Sequence, residues 1–98
     1  MIITKTIDGN EAVLKVEGRL DTLNSPELSE EIDGLGEDIS SIVMDFSELE
    51  YISSSGLRVV IIAKKKVNGA LVIKNASARI RSIFMTTGLD DLVKFEKD

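Results

Sequence analysis

The sequence predicts a single α/β domain over residues 1–98, built on a mixed parallel and antiparallel sheet with helices and opened by an antiparallel strand pair. Three observations predict it. Two alternating segments flank Asp8-Gly9-Asn10-Glu11, short β-branched apolar runs stand at 42–46 and 71–73, and three stretches carry helical spacing between cap and stop residues.

Ile3, Lys5 and Ile7 alternate with polar or small neighbours, and beyond the turn Leu14, Val16 and Gly18 alternate with Val13, Lys15 and Glu17. Asp-Gly followed by Asn tolerates positive φ, so these two strands should form a hairpin. Ser25 then stands as an N-cap with Pro26 at the first helical position and Glu27 facing the positive end of the helix dipole. Leu28, Ile32 and Leu35 share one helical face, and Gly34 and Gly36 stop the helix. The run Ile42 to Phe46 reads as a central strand covered on both faces.

Residues 54–68 are apolar enough for a buried strand, but the spacing of Leu57, Val60, Ile61 and Val67 is helical, with Lys64 the exception. Lys64, Lys65 and Lys66, followed by Asn68-Gly69, fit a helix C-terminus and a left-handed cap. Leu71 to Ile73 is the next strand. Ser77 caps a helix bearing Ile80, Ile83 and Phe84 and closed by Gly88, and Leu92, Val93 and Phe95 form a last short strand. Strands joined through crossover helices run parallel, which makes the sheet mixed.

Composition narrows the function. Twelve basic against seventeen acidic residues give a net charge of −5, which disfavours direct binding to nucleic acid or an anionic membrane. The start MIITKTIDGN lacks a signal-peptide pattern, and no stretch approaches the roughly 20 apolar residues of a membrane span, so a cytoplasmic location is expected. With neither His nor Cys there is no Ser-His-Asp triad and no thiolate chemistry, and the commonest general base and metal ligand is missing. Walker A and dinucleotide fingerprints are absent, Gly34 and Gly36 lying at a helix end. The expectation is a non-enzyme with no cofactor and no metal. Glu30 with Glu31 and Asp90 with Asp91 read as a solvated helix face and a turn, and Asp45 as the partly exposed end of its strand.

The serines at 53, 54 and 55 fall where a parallel sheet binds ligands, outside a strand's carboxyl end and at the start of the next helix. One serine suffices for capping. Gly56 should leave room for close backbone approach. A phosphate here would add about −1.5 to −2 charge, which the helix dipole tolerates and a fitted partner surface does not. Phosphorylation would therefore release a partner without unfolding the chain.

The segments GRLDTLNSPEL (18–28) and IVMDFSELEYISSSGLRVV (42–60), with TTGLDDL near the end, resemble the STAS domain of bacterial anti-sigma factor antagonists. The resemblance spans nearly the whole chain, and its middle segment is the most specific part. It implies a partner that is both anti-sigma factor and serine kinase, a sigma factor freed when unphosphorylated antagonist binds that kinase, and a PP2C-type phosphatase that restores the antagonist. Carried over by residue, the phosphoserine falls on Ser54, with Ser55 as second choice, and the Asp of the Gly-x-Leu-Asp pattern falls on Asp21. The implied partner surface comprises Asp21, Ser53, Ser54, Ser55, Gly56 and Arg58. The Asp that usually precedes the phosphoserine is replaced by Ser53, and the chain ends at Asp98, too early for the helix many members carry after the last strand. Two other readings are a STAS module that binds a partner or ligand constitutively, and a small phosphotransfer protein, which would have to work without histidine.

Overall fold

The computed structural model describes residues 1–97. Strands β1 (Ile2–Asp8) and β2 (Glu11–Leu20) form the expected antiparallel hairpin, in register from Ile2 opposite Glu17 to Asp8 opposite Glu11. Gly9, at φ 62°, makes the turn that Asp-Gly announced. Helix α1 (Ser25–Asp33), strand β3 (Ser41–Asp45), strand β4 (Leu49–Ile52), helix α2 (Ser54–Lys66), strand β5 (Leu71–Lys74), helix α3 (Ala78–Thr86), a 3₁₀ turn (Asp90–Leu92) and strand β6 (Lys94–Glu96) follow.

The sheet order is β1-β2-β3-β5-β6, parallel beyond the first pair, so β3 is central as expected. Strand β4 was not anticipated. Residues 11–15 of β2 pair with β3, and residues 18–20 pair with β4, with a register irregularity between Gly18 and Arg19. The long β2 thus serves two parallel partners in succession.

Burial alternates strictly along the central strands. Ala12, Leu14, Val16, Ile42, Met44, Leu71 and Ile73 are buried in one cluster with Leu28, Ile32, Leu57, Val60, Ala63, Ile80 and Phe84 from the helices. Their neighbours Val13, Val43 and Val72 are only half-buried. This corrects the expectation that β3 is covered on both faces: the helices pack on one face, and the run 42–46 is apolar on the other because valines line up there. Asp45 ends β3 half-buried on that second face, in register between Lys15 and Lys74, and its Oδ1 accepts from the Ser47 N–H at 2.9 Å.

The helix boundaries follow local chemistry with two changes. Ser25 is not the cap of α1; it is buried inside the first turn, and Asn24 holds the N-cap position, which moves Pro26 one place further in. Leu92 belongs to the 3₁₀ turn, and Val93 precedes the last strand, which it does not join. Elsewhere the signals hold. Ser77 Oγ accepts from the Ile80 N–H at 3.2 Å, and Asn68 and Gly69 take positive φ after α2. Phe84 and Phe95 meet edge to face with centroids 5.3 Å apart, tying α3 to β6. No helix among the described residues is long and apolar enough to cross a membrane.

Candidate functional site

The site is built where β2 and β4 end together. Leu20 and Ile52 are register partners, both buried, and the residues that follow them are Asp21 and Ser53. The Ser53 N–H donates to the Leu20 carbonyl at 2.8 Å, which extends the pairing by one bond before the chains diverge into α1 and α2.

Ser53 is fully occupied in starting α2. Its backbone is extended (φ −89°, ψ 173°), its Oγ accepts from the Gly56 N–H at 3.2 Å, and its carbonyl accepts from the Leu57 N–H at 2.9 Å. It is 8% exposed. Ser54, by contrast, is the first residue of the helix and is exposed, while Ser55 is half-buried. Of the three serines, the first makes the cap and the second presents its hydroxyl to solvent. Arg58 is also exposed and lies one turn on, at the i+4 spacing that brings side chains together on a helix.

Gly56 plays a different part from the one expected. A Cβ there would lie 2.8 Å from Leu20 Cγ and 2.9 Å from Ile52 Cγ1. The missing side chain makes room for the core beneath the helix, and the Gly56 N–H is already taken by Ser53. Gly56 is buried and shapes the surface from below.

Asp21 organises the loop into α1. Its Oδ1 accepts from the N–H groups of Leu23 and Asn24 at 3.0 and 3.1 Å, while its own N–H donates to Asn24 Oδ1 at 2.8 Å. Asn24 Nδ2 donates to the Arg19 carbonyl at 2.7 Å, and the Ser25 N–H to the Asp21 carbonyl at 2.9 Å. A reciprocal Asp/Asn clasp thus replaces the Ser25 cap.

A groove of about 410 Å³ between α1 and α2 adjoins this edge, lined by Ser25, Pro26, Ser55, Arg58, Val59 and Ile62 among others. The structure therefore brings Asp21, Ser53 and Ser54 to one sheet edge, puts Ser55 and Arg58 on the adjacent groove, and leaves Gly56 underneath. Sequence reasoning missed Asn24, whose spacing from Asp21 is the signal of the clasp. It also missed the stacking of Arg19 over the Tyr51 ring, 4.4 Å from its centroid, which sequence spacing does not reveal because it depends on the β2/β4 register.

With the geometry in place, comparison with known proteins gives a consistent result. The model of the STAS domain family matches residues 1–98, and the chain belongs to that family. The anti-sigma-B factor antagonist of Bacillus subtilis (strain 168) is 29% identical over 87 residues, covering 86% of this chain and 80% of that protein. The anti-sigma factor antagonist SpoIIAA in its unphosphorylated form superposes with a TM-score of 0.81 at 17% identity, over 99% of this chain and 88% of the other. The Bacillus cell fate determinant SpoIIAA in the phosphorylated form gives a TM-score of 0.77 at 17% identity, over 99% and 91%. At these identities the superpositions establish the fold.

Proposed function

We propose that this protein is an anti-sigma factor antagonist: it binds a cognate anti-sigma factor of the serine-kinase type, releases the sigma factor held there, and is switched off by phosphorylation of Ser54. A PP2C-type phosphatase resets it. The reading places the protein in the cytoplasm, as a binding protein that carries out no chemistry of its own. The similarity to the Bacillus subtilis anti-sigma-B factor antagonist supports the role. The observation that carries the switch is the division of labour at the start of α2: Ser53 holds the cap and is buried, so the exposed Ser54 hydroxyl is free of a structural duty and lies where a kinase can reach it.

The mechanism follows from electrostatics. A phosphate on Ser54 sits at the positive end of α2, where the dipole favours it by about 0.3–1 kcal/mol, so the fold survives modification. Arg58 at i+4 is within reach of the new charge. The phosphate takes up space and adds negative charge on the surface that meets the partner, and it draws Arg58 away from intermolecular contacts. Binding weakens while the protein stays folded.

The test is the affinity of Ser54→Asp for the serine-kinase anti-sigma factor. A loss of at least about tenfold, corresponding to 1.4 kcal/mol, with an unchanged thermal melt, supports the switch. Equal binding of variant and wild type favours a constitutive STAS module instead.

A further inference from the structure

We infer that Leu23 is the apolar anchor of the partner-binding surface, the side chain that inserts into an apolar pocket of the anti-sigma factor next to the site of Ser54. This rests on the proposed function and adds a residue to it. Leu23 is 92% exposed, more than any other large apolar residue among those described. Single exposed leucines are common on protein surfaces, and exposure alone would assign nothing.

What distinguishes Leu23 is the loop that displays it. The four residues Asp21 to Asn24 are braced by the Asp21/Asn24 clasp, by the Leu23 N–H bond to Asp21 Oδ1 at 3.0 Å, and by the Asn24 bond to the Arg19 carbonyl at 2.7 Å. The backbone of Leu23 is therefore fixed while its side chain points into solvent. A leucine held in this way can be buried by a partner with little ordering cost, because the loop is already in its bound shape. A flexible loop could have turned the same side chain onto the body of the protein.

Its position is the second argument. The braced loop leaves β2 beside the point where β4 enters the serine segment, and two residues after Leu23 the chain becomes the α1 wall of the groove that Ser55, Arg58 and the exposed Ile62 line from α2. Leu23 and Ser54 thus follow the paired strand ends Leu20 and Ile52 by three and two residues, and the groove begins at Ser25 and Ser55 just beyond them. A partner covering Ser54 meets Leu23 as well, and the fitting surface is an apolar pocket flanked by groups that accept hydrogen bonds from Arg58.

The experiment is calorimetric titration of a purified serine-kinase anti-sigma factor from the same genome with wild type, Leu23→Ala, Leu23→Asp and the control Met85→Ala. Met85 is 64% exposed on α3, so its truncation removes apolar surface elsewhere. The expected result is a loss of about tenfold or more for Leu23→Ala, a larger loss for Leu23→Asp, and a change under twofold for Met85→Ala, all with wild-type thermal melts. Binding of both Leu23 variants within twofold of wild type overturns the anchor and leaves the proposed function standing. Failure of wild type itself to bind overturns the proposed function, and the anchor with it.

Discussion

Gly56 packs its bare α-carbon against Leu20 so closely that a Cβ would lie 2.8 Å from Leu20 Cγ, with Ile52 Cγ1 at 2.9 Å on another side. Leu20 and Ile52 are buried, at 0% and 1% exposure, and the atoms approached are γ carbons near the backbone rather than flexible side-chain ends. Gly56→Ala should destabilise the protein by about 1–3 kcal/mol, as overpacking of a tight core does. Urea or thermal unfolding measures it. An unchanged midpoint would show that the helix start is loose and that the site is not held as described.

Ser53→Ala should cost about 0.5–2 kcal/mol through loss of the cap on the Gly56 N–H, and Ser77→Ala, which removes the equivalent cap of α3, should cost a similar amount. Only the first change lies at the proposed partner surface. The two variants, matched in stability, should therefore differ in binding to the anti-sigma factor, and identical binding would remove the α2 start from the interface.

Ser53→Asp should fold with stability within about 0.5 kcal/mol of wild type, since Asp caps as well as Ser and its charge suits the helix N-terminus. It restores the acidic residue that the resemblance implies immediately before the proposed phosphoserine, Ser54. Thermal melts check the first statement, and a marked drop in the midpoint would mean that the buried position rejects a carboxylate.

Asp21→Ala should release the braced loop, because the N–H groups of Leu23 and Asn24 lose their shared acceptor. Each bond is worth about 0.5–1.5 kcal/mol. Faster hydrogen exchange at those two amides is the expected signature, and Asp21→Asn, which keeps an acceptor oxygen, should restore most of the protection. Unchanged exchange in Asp21→Ala would show that the clasp does not hold the loop.

Much of this architecture was legible in local signals. Asp8-Gly9 gave the hairpin, Ser77 the cap of α3, and the three lysines with Asn68-Gly69 the end of α2, because each depends on chemistry within one turn of chain. The parts that were not legible depend on distant partners. Strand β4 is four residues long and is recognisable only through its parallel pairing with Gly18 to Leu20. The open second face of β3 was hidden because Val43, aligned with Val13 and Val72, makes the run look continuously buried. Ser25 and Asn24 are both good caps, and the choice between them was decided by Asp21 three residues earlier. At the site, the resemblance implied Ser54 as the phosphoserine, two residues before Gly56, but the glycine's purpose, room for Leu20 and Ile52, required the packed core.

The most direct test of the switch is intact mass spectrometry of wild type and Ser54→Ala after incubation with the serine-kinase anti-sigma factor and ATP. The account predicts one added phosphate on the wild type and none on Ser54→Ala, with both proteins folded. No phosphate on the wild type, or an equal gain on the variant, would contradict it.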